Sequence, residues 1–245
     1  MFVSYSKSGR CDLDIYDPVS VAIRRMGAGL RSMMMPAISP AGRKVAVVAS
    51  ADGPTPSRLY VLDLASGRRS PCPVAERDAA QTWPQWSADG QIVYVLSRSG
   101  SHWLARWQPA KSPPERLCQI DMPDSRVGVY QTLANLSRPL SPDGRRFAYY
   151  DIARDRIVIV GLRDGQRQEL GATTRSGCWL DSRRFVVADN KEMLLTETGP
   201  PVRLMRGLWL PLGGRGGTSE FVACTRGSHS GVFALVGMKL IPTGP

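Results

Sequence analysis

The chain has 245 residues, of which 42% are apolar and 22% charged, and these fractions are ordinary for a globular protein. No run reaches about 18 apolar residues, which argues against a transmembrane helix. The five cysteines lie at positions 11, 72, 118, 178 and 224, and none forms a C-x-x-C pair. This spacing excludes zinc-finger and thioredoxin sites and favours buried free thiols, although one disulfide stays open.

The net charge is +11, from 32 basic and 21 acidic residues, and most of the basic residues are arginine. The arginines occur singly or in pairs, such as Arg68-Arg69 and Arg183-Arg184, and never in a run of five. This pattern favours a dispersed basic surface. An anionic partner such as nucleic acid, lipid headgroups or an acidic protein stays open as an alternative.

The first predicted strands are Phe2–Tyr5 and Cys11–Asp17, which are short and rich in β-forming residues. Residues 20 to 35 mix apolar and basic side chains, but Gly27 and Gly29 disfavour a helix there. The methionine run at 33 to 35 suits a gap between packed elements.

From residue 39 onward a turn followed by a strand recurs along the chain, most clearly in Ser141-Pro142-Asp143-Gly144 and the run to Asp151. Proline presets φ, aspartate bonds to the local backbone and glycine takes a positive φ, so these four residues predict a tight turn. The first apolar residue after each turn recurs at spacings of 48, 54, 38 and 36 residues, at Val45, Val93, Phe147, Phe185 and Phe221.

A second apolar run follows the better copies, as in Arg58–Leu64 and Arg156–Leu162, and then a further turn and a polar edge segment. Each unit therefore predicts four antiparallel strands, and its mean length matches a propeller blade of about 40–45 residues. The Ser-Pro-Asp-Gly turn and the Leu59-Tyr60-Val61-Leu62-Asp63 type of strand resemble the repeat of TolB-like (WD40-like) propellers. The propeller domains of prolyl-oligopeptidase-type enzymes share this repeat.

The resemblance implies an all-β fold, a single β-propeller domain over residues 1–245 with four-stranded antiparallel blades. We expect six blades with an incomplete first one, and a five-bladed ring is the alternative. The expected boundaries are 1–36 (partial), 37–80, 81–134, 135–174, 175–206 and 207–245. The first segment lacks a turn and an innermost strand, so we expect Met1 to be an internal or late start.

The start of the sequence carries no basic region followed by an apolar one, so it shows no export signal and a cytoplasmic location is the default. The resemblance implies an extracytoplasmic or periplasmic location if the start is truncated.

No catalytic or metal-binding group stands out. The closest string to a serine nucleophile motif, Gly227–Gly231, has histidine at its centre and suits a hairpin turn. The only histidines, His102 and His229, have no histidine or cysteine at ligand spacing. The aspartates at 89, 143 and 181 occupy the same turn position, which favours turn capping. We therefore expect no catalytic residue, metal or cofactor.

The tryptophans suit packing between blades, but they also suit an aromatic rim around a central channel, where a ligand or peptide can stack. Arginines near such a rim would bind anionic groups. The candidate rim residues are Met35, Trp83, Arg138, Arg175, Trp179 and Trp209.

We expect a monomeric, non-enzymatic binding module that engages a protein or peptide at its end face or channel, with an anionic partner also open. The alternative is a propeller enzyme that binds or processes a small ligand or carbohydrate, and the scarcity of histidine argues against it.

Overall fold

The computed structural model describes residues 2–5, 10–17, 20–50, 57–74, 77–109, 111, 113–122, 136–170, 176–188, 192–196, 202–206, 209–214, 220–226 and 233–239. All the regular structure in these ranges is β-strand. No helix that is long and apolar enough to cross a membrane occurs in them. The chain divides into two compact units, Met1–Ile120 and Asp121–Pro245.

The first unit begins with a six-stranded antiparallel sheet in which each strand pairs with the next along the chain. Its strands are β1 (Phe2–Tyr5), β2 (Arg10–Asp17), β3 (Ala22–Ile38), β4 (Lys44–Ser50), β5 (Arg58–Asp63) and β6 (Arg69–Pro71). The long strand β3 pairs with β2 over its first part and with β4 over its second part. The segment at residues 20 to 35, where the glycines disfavour a helix, thus lies largely in one long strand that pairs with two neighbouring strands.

A four-stranded antiparallel sheet completes the first unit, in the order β10-β9-β8-β7. Its strands are β7 (Ala80–Trp86), β8 (Ile92–Arg98), β9 (Ser101–Trp107) and β10 (Glu115–Ile120). One face of this sheet packs on β4 and β5 through a buried apolar cluster that includes Leu59, Ile92 and Trp107. The opposite face of β4 packs on β2 and β3 through Val45, Val47 and their neighbours. Strand alternation therefore gives β4 two buried faces.

The described residues of the second unit form three sheets. The first has β12 (Arg146–Asp151), β13 (Arg156–Gly161) and β14 (Arg167–Leu170). The second has β11 (Leu136–Arg138), β15 (Ser176–Trp179), β16 (Phe185–Ala188), β17 (Glu192–Thr196) and β18 (Val202–Arg206). The third has β19 (Trp209–Gly214), β20 (Glu220–Arg226) and β21 (Phe233–Lys239).

These sheets are antiparallel except where β11 pairs in parallel with β15. Just beyond β11, Leu140 forms an antiparallel bridge to Phe147 of β12. The segment before the turn at Ser141 thus pairs with two strands. These are β12, which follows that turn, and β15, which precedes the turn of the next repeat. Trp179, Phe147, Phe185 and Tyr149 are almost fully buried here.

The predicted turns precede β4, β8 and β12. In each, the glycine N–H donates to the carbonyl oxygen of the first turn residue: Gly42 to Ser39 at 2.8 Å, Gly90 to Ser87 at 3.1 Å, and Gly144 to Ser141 at 2.9 Å. The three glycines have φ values of 68°, 79° and 70°, which a side chain would strain. The described residues therefore form the all-β, mainly antiparallel architecture that the repeat predicts.

Cys11, Cys72 and Cys178 are buried free thiols, and Cys118 is a half-buried one. The side chain of Cys224 lies outside the described part of the structure. The four described cysteines are therefore in the free state that their spacing predicts.

Candidate functional site

Two strands of the first unit carry a non-glycine residue at positive φ in equivalent places. Met35 of β3 has φ 52° and Trp83 of β7 has φ 53°, and each is followed by a proline. Both strands shift their pairing register there, between Met34 and Ala37 in β3 and between Thr82 and Gln85 in β7. These are β-bulges, which re-aim side chains and are common next to functional sites.

The two bulges contact each other. The Trp83 N–H donates a hydrogen bond to the Met35 sulfur over 3.2 Å. Nearby, the Trp86 indole N–H donates to the Ala37 carbonyl oxygen over 2.9 Å. A residue held in such a backbone conformation costs about 1–3 kcal/mol and persists only where surrounding contacts impose it. Strain of this kind clusters at ligand clamps and switch regions.

Met35 and Trp83 are half-buried, so each leaves part of a large apolar side chain in contact with solvent. Beside them, the Thr82 hydroxyl oxygen is buried and has no hydrogen-bond partner among the described residues. A polarisable thioether, an indole and a hydroxyl thus lie together on two fixed strands. We call this the Met35–Trp83 surface.

Trp179 has a different environment. Its side chain is completely buried, and its indole N–H donates to the Pro139 carbonyl oxygen over 2.8 Å. The Arg146 guanidinium lies over the same ring, 4.8 Å from its centroid. This position serves packing between strands, and it leaves no ring face on which a ligand can stack.

The remaining predicted rim residues lie outside what the structure describes in atomic detail. Arg138 is on β11 and Trp209 begins β19, but their side chains are not described. Arg175 lies outside the described residues altogether. The structure therefore brings together Met35 and Trp83 from the predicted set.

In the ranges that the structure describes, no group of three or more histidine, cysteine, aspartate or glutamate side chains is arranged to hold a metal ion. His102 is buried on β9, and its Nδ1 lies 2.8 Å from the Ser97 hydroxyl. The Gly227–Gly231 string falls outside the described residues.

The turn aspartates bond locally. Asp143 accepts a hydrogen bond from the Ser141 hydroxyl over 2.7 Å. Burial alone would raise the pKa of Asp181, but the backbone N–H groups of Arg183 and Arg184 and the Arg184 guanidinium bond to its carboxylate. These hydrogen bonds hold the pKa of Asp181 below its ordinary value. Each carboxylate therefore caps its own turn.

Several of the described arginines pair with nearby acids on strands or turns. The best-defined of these pairs join Arg25 to Asp14 at 2.8 Å, Arg98 to Asp78 at 3.0 Å and Arg106 to Glu115 at 2.7 Å. The second and third of these pairs are exposed, so they contribute little to stability but neutralise charge locally. In the first pair the Asp14 side chain is buried. Among the described residues, part of the basic charge is therefore neutralised by nearby carboxylates.

Sequence reasoning missed a cavity of about 290 Å³ in the first unit. Its walls are apolar except for four residues, and the lining comprises Pro73, Val74, Ala79, Gln81, Tyr94, Leu96, Ala105, Pro113, Pro114, Glu115 and Arg116. The sequence signal for this cavity is Pro113-Pro114, which directly precedes the edge strand β10. The other lining residues come from five separate segments, so no local sequence pattern reveals them.

No protein-family model matches the sequence, and no curated protein matches it significantly. Solved structures do match. TolB from Acinetobacter baumannii is 17% identical with a TM-score of 0.57, over 91% of this chain and 59% of that one. The β-propeller domain of the trilobed protease from Pyrococcus furiosus is 12% identical with a TM-score of 0.59, over 84% and 68% of the two chains.

The chain has the TolB-like β-propeller fold. The acylaminoacyl peptidase of Pyrococcus horikoshii also matches, at 10% identity and a TM-score of 0.61, over 84% of this chain and 38% of that one. The chain thus spans about three-fifths of the TolB structure and about two-fifths of the peptidase. At these identities the likeness establishes the fold, and within this TolB-like propeller the Met35–Trp83 surface is the best-defined candidate site.

Proposed function

We propose that this TolB-like propeller is a non-catalytic binding module whose Met35–Trp83 surface binds a protein or an extended peptide segment. The observation that supports this most is the strained pair itself. Strands β3 and β7 each accept an unfavourable backbone conformation at a large, partly exposed apolar residue, and the two residues touch. Aromatic and methionine side chains that are fixed in this way are typical anchors of protein interfaces.

The blade assignment belongs to the same proposal. Six blades with an incomplete first one place β3 at the end of the first blade and the start of the second, which agrees with its pairing to both β2 and β4. The second part of β3 and strand β7 are then the innermost strands of consecutive blades. Such strands border the central channel of a propeller, so the proposed surface would face that channel.

The experiment is selection of a displayed random-peptide library on the wild-type protein, followed by affinity measurements on the enriched peptides. Met35→Glu places a charge on the proposed surface. We expect it to weaken binding by about 30-fold, as loss of a hot-spot contact of about 2 kcal/mol does.

Val21→Glu is the matched control, because Val21 is an apolar residue of the same unit that is 72% exposed and not part of the surface. It should leave affinity within about twofold. Circular dichroism of both variants verifies that they are folded. Equal weakening by the two substitutions, or undiminished binding by folded Met35→Glu, would refute the proposal.

A further inference from the structure

The cavity in the first unit lies on a face of the β7–β10 sheet, where one cross-strand row of side chains runs through its middle. Tyr94 of β8 pairs with Ala105 of β9, and Ala105 pairs with Arg116 of β10. Residues that are paired in this way point to the same face. Because the central residue is only an alanine, space is left between the tyrosine and the arginine, which stand about 10 Å apart across three strands. We call this space the Tyr94 cavity.

The inner end of the Tyr94 cavity is buried and held in place. Tyr94 is 1% exposed, and its hydroxyl lies 3.5 Å from the Gln81 side-chain nitrogen and 3.8 Å from the Cys72 sulfur. The Gln81 side-chain oxygen in turn accepts a hydrogen bond from the Leu59 N–H over 3.0 Å. These contacts fix the position of the Tyr94 hydroxyl at the inner end of the cavity. The Tyr94 ring therefore forms a fixed apolar surface there, which we call the Tyr94 floor.

The outer end carries charge. Arg116 is exposed at the mouth, and its guanidinium lies 4.7 Å from the centre of the Trp103 ring. A guanidinium stacked on an aromatic face keeps its charge and can direct N–H groups toward a carboxylate. Glu115 also lines the cavity, but its carboxylate accepts a hydrogen bond from Arg106 over 2.7 Å, which offsets its repulsion of an anion.

We propose that the Tyr94 cavity binds an apolar group that bears a carboxylate, with the apolar part on the Tyr94 floor and the carboxylate at Arg116. The volume of about 290 Å³ lies at the lower end of ligand pockets, which suits one ring or one short chain. Such a ligand is either a small free carboxylic acid or the C-terminal residue of a peptide. The cavity shares no lining residue with the Met35–Trp83 surface, so this inference is independent of the function proposed above.

The test is isothermal titration calorimetry on the full chain with 3-phenylpropionate, its uncharged analogue 3-phenylpropanamide, and N-acetyl-Ala-Ala-Phe with a free carboxyl terminus. We expect the amide to bind the wild type about tenfold or more weakly than the acid, as loss of a charge-assisted hydrogen-bond pair implies. Arg116→Gln should abolish this preference, so that acid and amide bind the variant alike.

Two further variants control the result. Arg98→Gln removes a positive charge from the same sheet at a residue that does not line the cavity, and it should keep the preference of the wild type. Ala105→Leu fills the middle of the row and should abolish binding of every probe while the circular dichroism spectrum is kept. If that variant does not fold, the Arg116 and Arg98 variants decide alone.

Tighter binding of the tripeptide than of the small acid identifies a peptide C-terminus as the source of the carboxylate, whereas binding of the small acid alone identifies a free acid. Either result supports the proposal. Equal binding of acid and amide to the wild type, an equal loss in Arg116→Gln and Arg98→Gln, or binding of none of the probes would overturn it.

Discussion

The indole N–H of Trp179 donates a hydrogen bond to the Pro139 carbonyl oxygen, which lies one repeat earlier in the chain. Trp179→Phe tests how much this link between consecutive repeats stabilises the fold. The substitution keeps an aromatic ring but removes the indole N–H that bonds to the Pro139 carbonyl oxygen at 2.8 Å. That oxygen also accepts a hydrogen bond from the Ala148 N–H at 2.8 Å, so it is not left unpaired.

The expected cost follows from three losses. One net hydrogen bond contributes about 1 kcal/mol. The smaller ring leaves roughly 40 Å³ of space in a fully buried site, which costs about 1 kcal/mol at ~24 cal/mol per Å³. The stacked Arg146 guanidinium loses part of its interaction, on the order of 0.5 kcal/mol. We therefore expect the free energy of unfolding to fall by about 2–3 kcal/mol.

Trp86→Phe is the matched comparison, since Trp86 makes the equivalent hydrogen bond to Ala37 at 2.9 Å but is only half-buried. It should cost about 1 kcal/mol. Urea denaturation followed by far-ultraviolet circular dichroism measures both values, with the slope of each transition checked against the wild type. If Trp179→Phe costs no more than Trp86→Phe, burial of the ring does not determine the strength of this link.

The further predictions concern single residues. Gly177→Ala should lower the free energy of unfolding by about 1–3 kcal/mol, because its Cβ would lie 2.6 Å from a phenylalanine ring and 2.8 Å from a backbone oxygen. Gly161→Ala should cost less in the same denaturation assay, since it meets only the end of a flexible aspartate side chain. Burial raises the pKa of the Cys72 thiol to about 12, so peptide mapping after iodoacetamide at pH 8 should find Cys118 modified before Cys72. The same shift should reduce stability above about pH 9, where the unfolded thiol ionises and the folded one does not. Asp181→Asn should cost about 1 kcal/mol at pH 7, and the difference from wild type in denaturation midpoint should shrink below about pH 4 as the native carboxylate is protonated.

The repeat turns could be predicted from sequence because their chemistry is local. The Ser141 hydroxyl, the Asp143 carboxylate and the positive φ of Gly144 lie within four residues and form one bonded unit. The β-rich runs that follow are equally local. The extent of β3 could not be predicted in this way. A strand that pairs with a different neighbour at each end differs from an ordinary strand in sequence only by its length.

The role of the tryptophans could be predicted only as a choice between packing and binding. Trp86 and Trp179 bond to acceptors 49 and 40 residues earlier, a separation of about one repeat. The sequence shows that these residues recur, but it does not show which side chain reaches the previous repeat and which one stays partly exposed. Trp179 and Trp83 both precede a turn, but the Trp179 side chain is completely buried and the Trp83 side chain is only half-buried.

The Met35–Trp83 surface depends on the same long separation, because its two members are 48 residues apart. Residues before proline normally take extended conformations, so Met35-Pro36 and Trp83-Pro84 predict ordinary strand backbone when each is taken alone. The structure instead has both at positive φ and in contact. A single strained residue can be an accident of packing. The same strain at one position of two consecutive repeats, each at a large and partly exposed side chain, supports the proposed binding surface.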